Sequence, residues 1–249
     1  MKLSFVIPAY NEEHHLGACL ESIMRELDGE RHDVEIIVVD NDSTDRTAEV
    51  ARRYPGVRVV AESHKGIVWA RARGFREATG ELIANVDADA MLTPGWIERV
   101  FREFERHPRL VCISGPLIYH DLSPGIRFLV KLFYGFGFFF YLLARFVFRS
   151  GSLVQGGNFV LRREALERAG GFDTTIDFYG EDTDIARRLS RLGPVKFTFG
   201  LPMLSSGRRL AEEGVLAIGL RYAANYLWVL FSGKPLTTAS RDVRPGHHS

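Results

Sequence analysis

The sequence predicts an α/β fold, a mostly parallel sheet flanked by helices, on three observations. Short apolar runs alternate with amphipathic helical patterns through the first half of the chain, which is how strands joined by helical crossovers read. The runs are nearly continuous in apolar residues, as strands covered on both faces require. Each of three runs ends in a polar cluster, and sheets of this kind bind ligands at the carboxyl ends of their strands.

The elements follow in order. Leu3 to Ile7 is a buried strand, and Leu16, Leu20, Ile23 and Leu27 then recur at helical spacing. Val34 to Val39 is a second strand, with Ser43 placed to cap a helix running to about Tyr54. Val57 to Val60 is a third strand, Lys65 to Ala78 a helix, and Glu81 to Val86 a fourth strand. Thr93-Pro94 reads as a cap with proline at the first helical position, leading Ile97, Val100, Phe101 and Phe104 along one face. A short strand is expected over Phe159 to Leu161, and a soluble pattern resumes from Tyr179 to Leu189.

The bulk numbers exclude several classes. At 249 residues, 46% hydrophobic and 25% charged, the chain has material for one large core. A net charge of +1 gives no global argument for nucleic acid as a partner. Two distant cysteines, Cys19 and Cys112, support neither a disulfide framework nor a zinc site. No secretory leader is expected, because only Leu3 to Ile7 is apolar before Pro8. The reading is a cytoplasmic protein.

Asp87-Ala88-Asp89 ends the fourth strand, and carboxylates at i and i+2 of extended chain point the same way. Such a pair suits a hard cation, Mg²⁺ or Mn²⁺, whose shell is completed by water and phosphate oxygens; the rival reading is a solvated turn. Gly180-Glu181-Asp182 opens a helix, where acids either favour the helix dipole or supply a general base. Gly156-Gly157-Asn158 permits close approach to a ligand or forms a hairpin turn. Arg208 and Arg209 offer guanidiniums for a diphosphate or lipid headgroup, or are ordinary surface.

Pro8-Ala-Tyr-Asn-Glu-Glu13, Val38-Val-Asp-Asn-Asp-Ser-Thr-Asp-Arg-Thr47, Asp87-Ala-Asp89, Gly156-Gly-Asn158 through Gly170-Gly-Phe-Asp173, and Gly180-Glu-Asp182 occur in that order. This ordered set resembles the family 2 glycosyltransferases of GT-A fold, over about residues 2–210. The resemblance implies an inverting sugar transfer from a nucleotide diphosphate sugar, with UDP the expected base and GDP next. It places Pro8, Tyr10, Glu12, Asp40, Asn41, Lys65, Arg71, Asp87 and Ala88 around the nucleotide, and Asp89, with Asp87, on the metal. Asp182 becomes the base, with Glu181 and Gly156, Gly157 and Asn158 toward acceptor or sugar. The acceptor is expected to be a glycan or a lipid-linked cell-envelope molecule.

Departures from that pattern are local. Ala72 stands where the family's Ala-Arg-Asn segment has asparagine, and Ala90 where a third acid is frequent. The signature of processive synthases is absent, with Ser206-Gly-Arg-Arg209 near its place, and no histidine between Gly200 and Gly207 completes a metal shell.

Residues 126–148 form an apolar insert whose uncharged run, Leu132 to Ala144, is shorter than the roughly 17–25 residues a spanning helix needs. Arg127, Lys131, Tyr134, Tyr141, Arg145 and Arg149 fall on one helical stripe opposite Phe and Leu, the pattern of a helix lying in a membrane interface. The rival is a core helix. An apolar helix over 211–232 and an unstructured tail over 233–249 complete the division, and a peripheral position on the inner face of the cell membrane follows. Two other functions share this architecture. A nucleotidyltransferase would carry a glycine-rich basic loop that Pro8 to Glu13 lacks, and a non-catalytic sugar-nucleotide-binding scaffold would need neither Asp89 nor Asp182.

Overall fold

The computed structural model describes residues 1–29, 32–146, 153–176, 180–214 and 219. The first half is a regular alternation: β1 (Leu3–Ala9), α1 (Leu16–Leu27), β2 (Val34–Asp40), α2 (Thr47–Arg52), β3 (Val57–Ala61), α3 (Ile67–Glu77) and β4 (Leu82–Val86). Then come β5 (Ala90–Leu92), α4 (Trp96–Arg106), β6 (Cys112–Ser114), β7 (Leu117–Tyr119) and α5 (Pro124–Phe146). The remainder is β8 (Asn158–Arg162), α6 (Arg163–Arg168), α7 (Glu181–Ser190), β9 (Val195–Phe197), β10 (Met203–Ser205) and α8 (Arg208–Glu213).

Seven strands form the main sheet in the order β3-β2-β1-β4-β8-β6-β9, and β5, β10 and β7 form a small second one. In the main sheet β8 alone runs against its neighbours. The expected α/β fold with a mainly parallel sheet is therefore the observed one. Alternate strand residues fill the two covering layers, as the period of two demands. Phe5, Ile7, Ile36, Val38, Ala84 and Val86 pack with α1 and α4, while Val6, Ile37, Val39 and Ile83 pack with α3 and α7.

Two expected caps are corrected. Ser43 does not cap α2, which begins at Thr47; its hydroxyl accepts the Asn11 amide instead. Thr93 does not cap α4, because its hydroxyl donates to the Pro202 carbonyl. The α4 amides of Gly95 and Ile97 go to the Glu26 carboxylate of α1, a cap supplied from another element. The expected 211–232 helix and 233–249 tail lie outside the described residues, apart from 211–214 and 219.

The antiparallel β8 positions the site. Its register sets Asn158 against Val86, so the turn before β8 meets the loop after β4. The Asp87 amide donates to the Gly157 carbonyl at 3.3 Å.

Candidate active site

Two clusters of charge meet at Asp87. The first gathers Glu12 from the loop after β1, Asp89 from the loop after β4 and Arg208 from the start of α8. Arg208 Nη2 bonds Glu12 and lies 3.2 Å from Asp89 Oδ2. Burial lifts the Asp89 carboxyl to about 7 against the pull of Arg208, and the neighbouring Asp87 and Glu12 carboxylates add to the rise. Arg208 is held charged: burial works against it, but pairing with Glu12 and the field of Asp89 and Asp87 prevail.

The second cluster lies behind Asp87. Arg71 of α3 is 0% exposed, and its guanidinium joins Asp87 Oδ1 at 3.0 Å to Glu181 at the start of α7. Gly157 has φ +77°, and a Cβ there would fall 2.1 Å from an Asp87 oxygen, so only glycine fits this turn. A Cβ at Gly156 would lie 3.6 Å from both the Asp182 and Glu181 carboxylates. Burial raises the Asp182 carboxyl above the ordinary range, opposed by the Thr183 amide, Arg71 and the Gly156 amide. The acidic first turn of α7 thus divides by partner: Asp184 bonds Arg187 and Arg188 at 3.1 and 2.7 Å, whereas Asp182 turns to the glycines.

Beyond the ends of β1 and β2, Lys65 Nζ stands 5.0 Å over the Tyr10 ring and 3.6 Å from Asp42. Pro8 and Asp40 close β1 and β2 there, with Asp40 accepting the Ser43 amide at 3.2 Å. Ala88 is buried between the two aspartates, and Arg209 is partly buried beside Arg208 on α8.

Three of the expected site residues are buried and bonded within the protein. Asn41 is buried; its amide nitrogen bonds the Glu62 and His64 carbonyls and its oxygen accepts the Gly66 amide, so it shapes the loop that carries Lys65. Asn158 is 0% exposed and donates to the Pro116 and Leu201 carbonyls, tying β8 to the segments beside the second sheet. Arg71 is fully buried, and its guanidinium pairs with the Asp87 and Glu181 carboxylates.

Other residues of the site were not singled out from sequence. His15 Nδ1 sits 3.3 Å from Glu12 Oε2, and its place three residues after Glu12 in the same loop was a usable signal. Asp121 accepts the Ser206 hydroxyl and the Gly207 amide at 2.8 and 2.7 Å, fixing the loop that aims Arg208. That contact spans 85 residues and has no local signature. Tyr134 of α5, expected on the headgroup stripe, instead turns its hydroxyl inward, accepting the Leu117 amide and donating to Gln155 at 2.9 Å, just before the glycine turn. Burial pushes that phenol up to about 12.

Asp87 and Asp89 lie on a turn after β4 rather than in extended chain, facing Arg71 and Arg208 respectively; as oxygen donors they suit a hard divalent cation. Among the described residues no three His, Cys, Asp or Glu are grouped to hold a metal, so the protein's share of the shell is small and phosphate and water oxygens would make up the rest.

A mainly parallel sheet with acids after its strand ends and a small second sheet defines an α/β protein, and its solved structural neighbours are of GT-A architecture. The chain belongs to glycosyl transferase family 2, whose description matches residues 4–170, more than half of its length. A dolichol-phosphate mannosyltransferase of Pyrococcus furiosus is 38% identical over 104 residues, 40% of this chain and 29% of that protein. A dodecaprenyl-phosphate galacturonate synthase of Rhizobium johnstonii is 35% identical over 112 residues, 43% of this chain and 33% of that one. The matched segments thus span about a third of these relatives. In fold the chain resembles a mannosyltransferase of Pyrobaculum calidifontis in complex with GDP-Man and Mn²⁺, with TM-score 0.65, 23% identity, and 90% and 61% of the two chains covered. It also resembles a glucosyl-3-phosphoglycerate synthase of Mycobacterium tuberculosis in complex with Mn²⁺, UDP-Glc and phosphoglyceric acid, at TM-score 0.61, 21% identity, and 91% and 78% covered.

Proposed function

We propose that this protein transfers a sugar, with inversion, from a nucleoside diphosphate sugar to an acceptor hydroxyl, with Asp182 as base and Asp87 and Asp89 holding a divalent cation. One observation carries the reading. The glycine turn at 156–157 touches Asp87 on one side and Asp182 on the other, so donor-side and acceptor-side carboxylates border one small space. A sugar seated on this turn has the diphosphate toward Asp89 and Arg208 and its opposite face toward Asp182. The cation, when bound, would offset charge on the leaving diphosphate.

The chain's own groups do the rest. Asp182 takes the acceptor's proton, and its raised carboxyl makes it a stronger base than an ordinary aspartate. Arg71 holds Asp87 and Glu181 in fixed relation. Tyr10 and Lys65 offer a ring and a cation to the nucleoside end. A single displacement needs no protein nucleophile, and the site as described presents Asp182 rather than a serine or cysteine to the turn. A thermal-shift screen of UDP-, GDP- and dTDP-sugars with Mn²⁺ identifies the donor, because only a bound ligand stabilises the fold by mass action. A UDP-sugar is the expected hit; no shift with any of them, with or without Mn²⁺, counts against the reading.

The acceptor side is proposed to meet a membrane. Phe128, Leu132 and Phe136 on the outer face of α5 are 63%, 46% and 67% exposed, flanked by exposed Arg127 and Lys131. Apolar outside and cationic along one flank suits the headgroup region of anionic lipid. Among the described residues no helix is long and apolar enough to cross a membrane. The side chains of Tyr141 and Arg145, and all of Arg149, lie outside the described residues. Both curated relatives named above carry a polyprenyl phosphate in their names, which supports a lipid-linked acceptor.

A further inference from the structure

Arg208 stands where the proposed cation would act. Its Nη2 bonds Glu12 and approaches Asp89 at 3.2 Å, so one guanidinium is shared between two acids of the proposed donor site. The contact is built rather than incidental. Asp121 accepts hydrogen bonds from Ser206 and Gly207, and a Cβ at Gly207 would fall 2.3 Å from Leu122, so the loop packs closely there. Arg208 Nη1 is buried with no hydrogen-bond partner among the described residues, a donor that a phosphate oxygen would satisfy.

We propose that Arg208 is an internal competitor for the divalent cation, so that cation and nucleotide diphosphate enter together; this rests on the metal-dependent reading above. A cation arriving alone at Asp89 meets a guanidinium already paired there, at a separation where like charges repel strongly. A diphosphate removes the conflict. Its oxygens give the guanidinium a new partner and give the cation the ligands the protein lacks. Each of the two ligands then binds better in the presence of the other, and by linkage the enhancement is equal in both directions.

Mn²⁺ binding to the full chain, followed by electron paramagnetic resonance without any acceptor, tests this. Wild type should bind MnCl₂ alone weakly and at least about tenfold more tightly with UDP, or with GDP in a parallel arm. Arg208→Gln should bind MnCl₂ alone at least about tenfold more tightly than wild type. Arg208→Lys, which keeps the charge but not the two-pronged reach, should fall between them and guards against misfolding of the first variant. Nucleotide-free Mn²⁺ affinity equal in wild type and both variants overturns the competition while leaving the metal reading intact, provided that Asp89→Asn abolishes binding with UDP. No Mn²⁺ binding by any variant even with nucleotide overturns both.

Discussion

Arg71 has no exposed surface, and its guanidinium joins the loop after β4 to the first turn of α7. Removing one partner of a buried ion pair strands the others, at a cost of about 3–5 kcal/mol. Arg71→Ala should therefore lower unfolding free energy by that order in urea titrations, beyond any loss of activity. Gly157 makes a different demand. Alanine at φ +77° costs about 1–3 kcal/mol in backbone strain, and its methyl would displace Asp87. Gly157→Ala should thus lower the melting temperature and weaken donor-dependent stabilisation together; a variant with wild-type response to UDP-sugar would remove the turn from the donor site. Arg71 and Gly157 were both visible in the sequence, but their functions were not. The sequence cannot say that an arginine in a helix is buried, nor that the Asn41 and Asn158 amide nitrogens bond backbone carbonyls distant in sequence.

Elements were legible where they are long. β1, β2, β3 and β4 and the helices between them follow their apolar periodicity to within a few residues, because five to seven residues suffice to establish a period. The three-residue strands β5, β6, β7, β9 and β10 went unread, being shorter than any pattern and held by partners elsewhere. Caps failed for the same reason, since α4 draws its cap from Glu26. α5 was correctly placed as an amphipathic helix, but which face meets the protein depends on Tyr134 and its bond to Gln155. Replacing Phe128 and Phe136 with Ser should reduce co-flotation with anionic vesicles severalfold while leaving the melting temperature unchanged, since both rings are largely exposed. Undiminished flotation would mean that this face is not what lipid touches.

For the whole molecule, the clustering of acids has a thermodynamic consequence. An Asp89 carboxyl at about 7 when folded, and roughly 3.9 when unfolded, keeps its proton in the folded state while the unfolded chain releases one. The folded state then binds more protons across that interval, so this group's contribution to stability falls as pH rises from about 4 to about 7. In chelator, the melting temperature of Asp89→Asn should be less sensitive to pH in that window than wild type; equal slopes would discount Asp89 as the source. Four of the ordered motifs, at Pro8, Asp40, Asp87 and Gly156, lie together at one edge of the main sheet because each falls beside a strand end there, whereas Gly171 packs against Arg188 of α7. The site's closure by Asp121 and Arg208 was hidden, because it comes from contacts across the second sheet. The central claim is that Asp182 is the base that works opposite the donor carboxylates. Turnover of the donor identified by thermal shift, measured for Asp182→Asn with Mn²⁺, tests it most directly. The expected result is a loss of about 10²–10⁴-fold in turnover with nucleotide binding retained; turnover within a few-fold of wild type would contradict it.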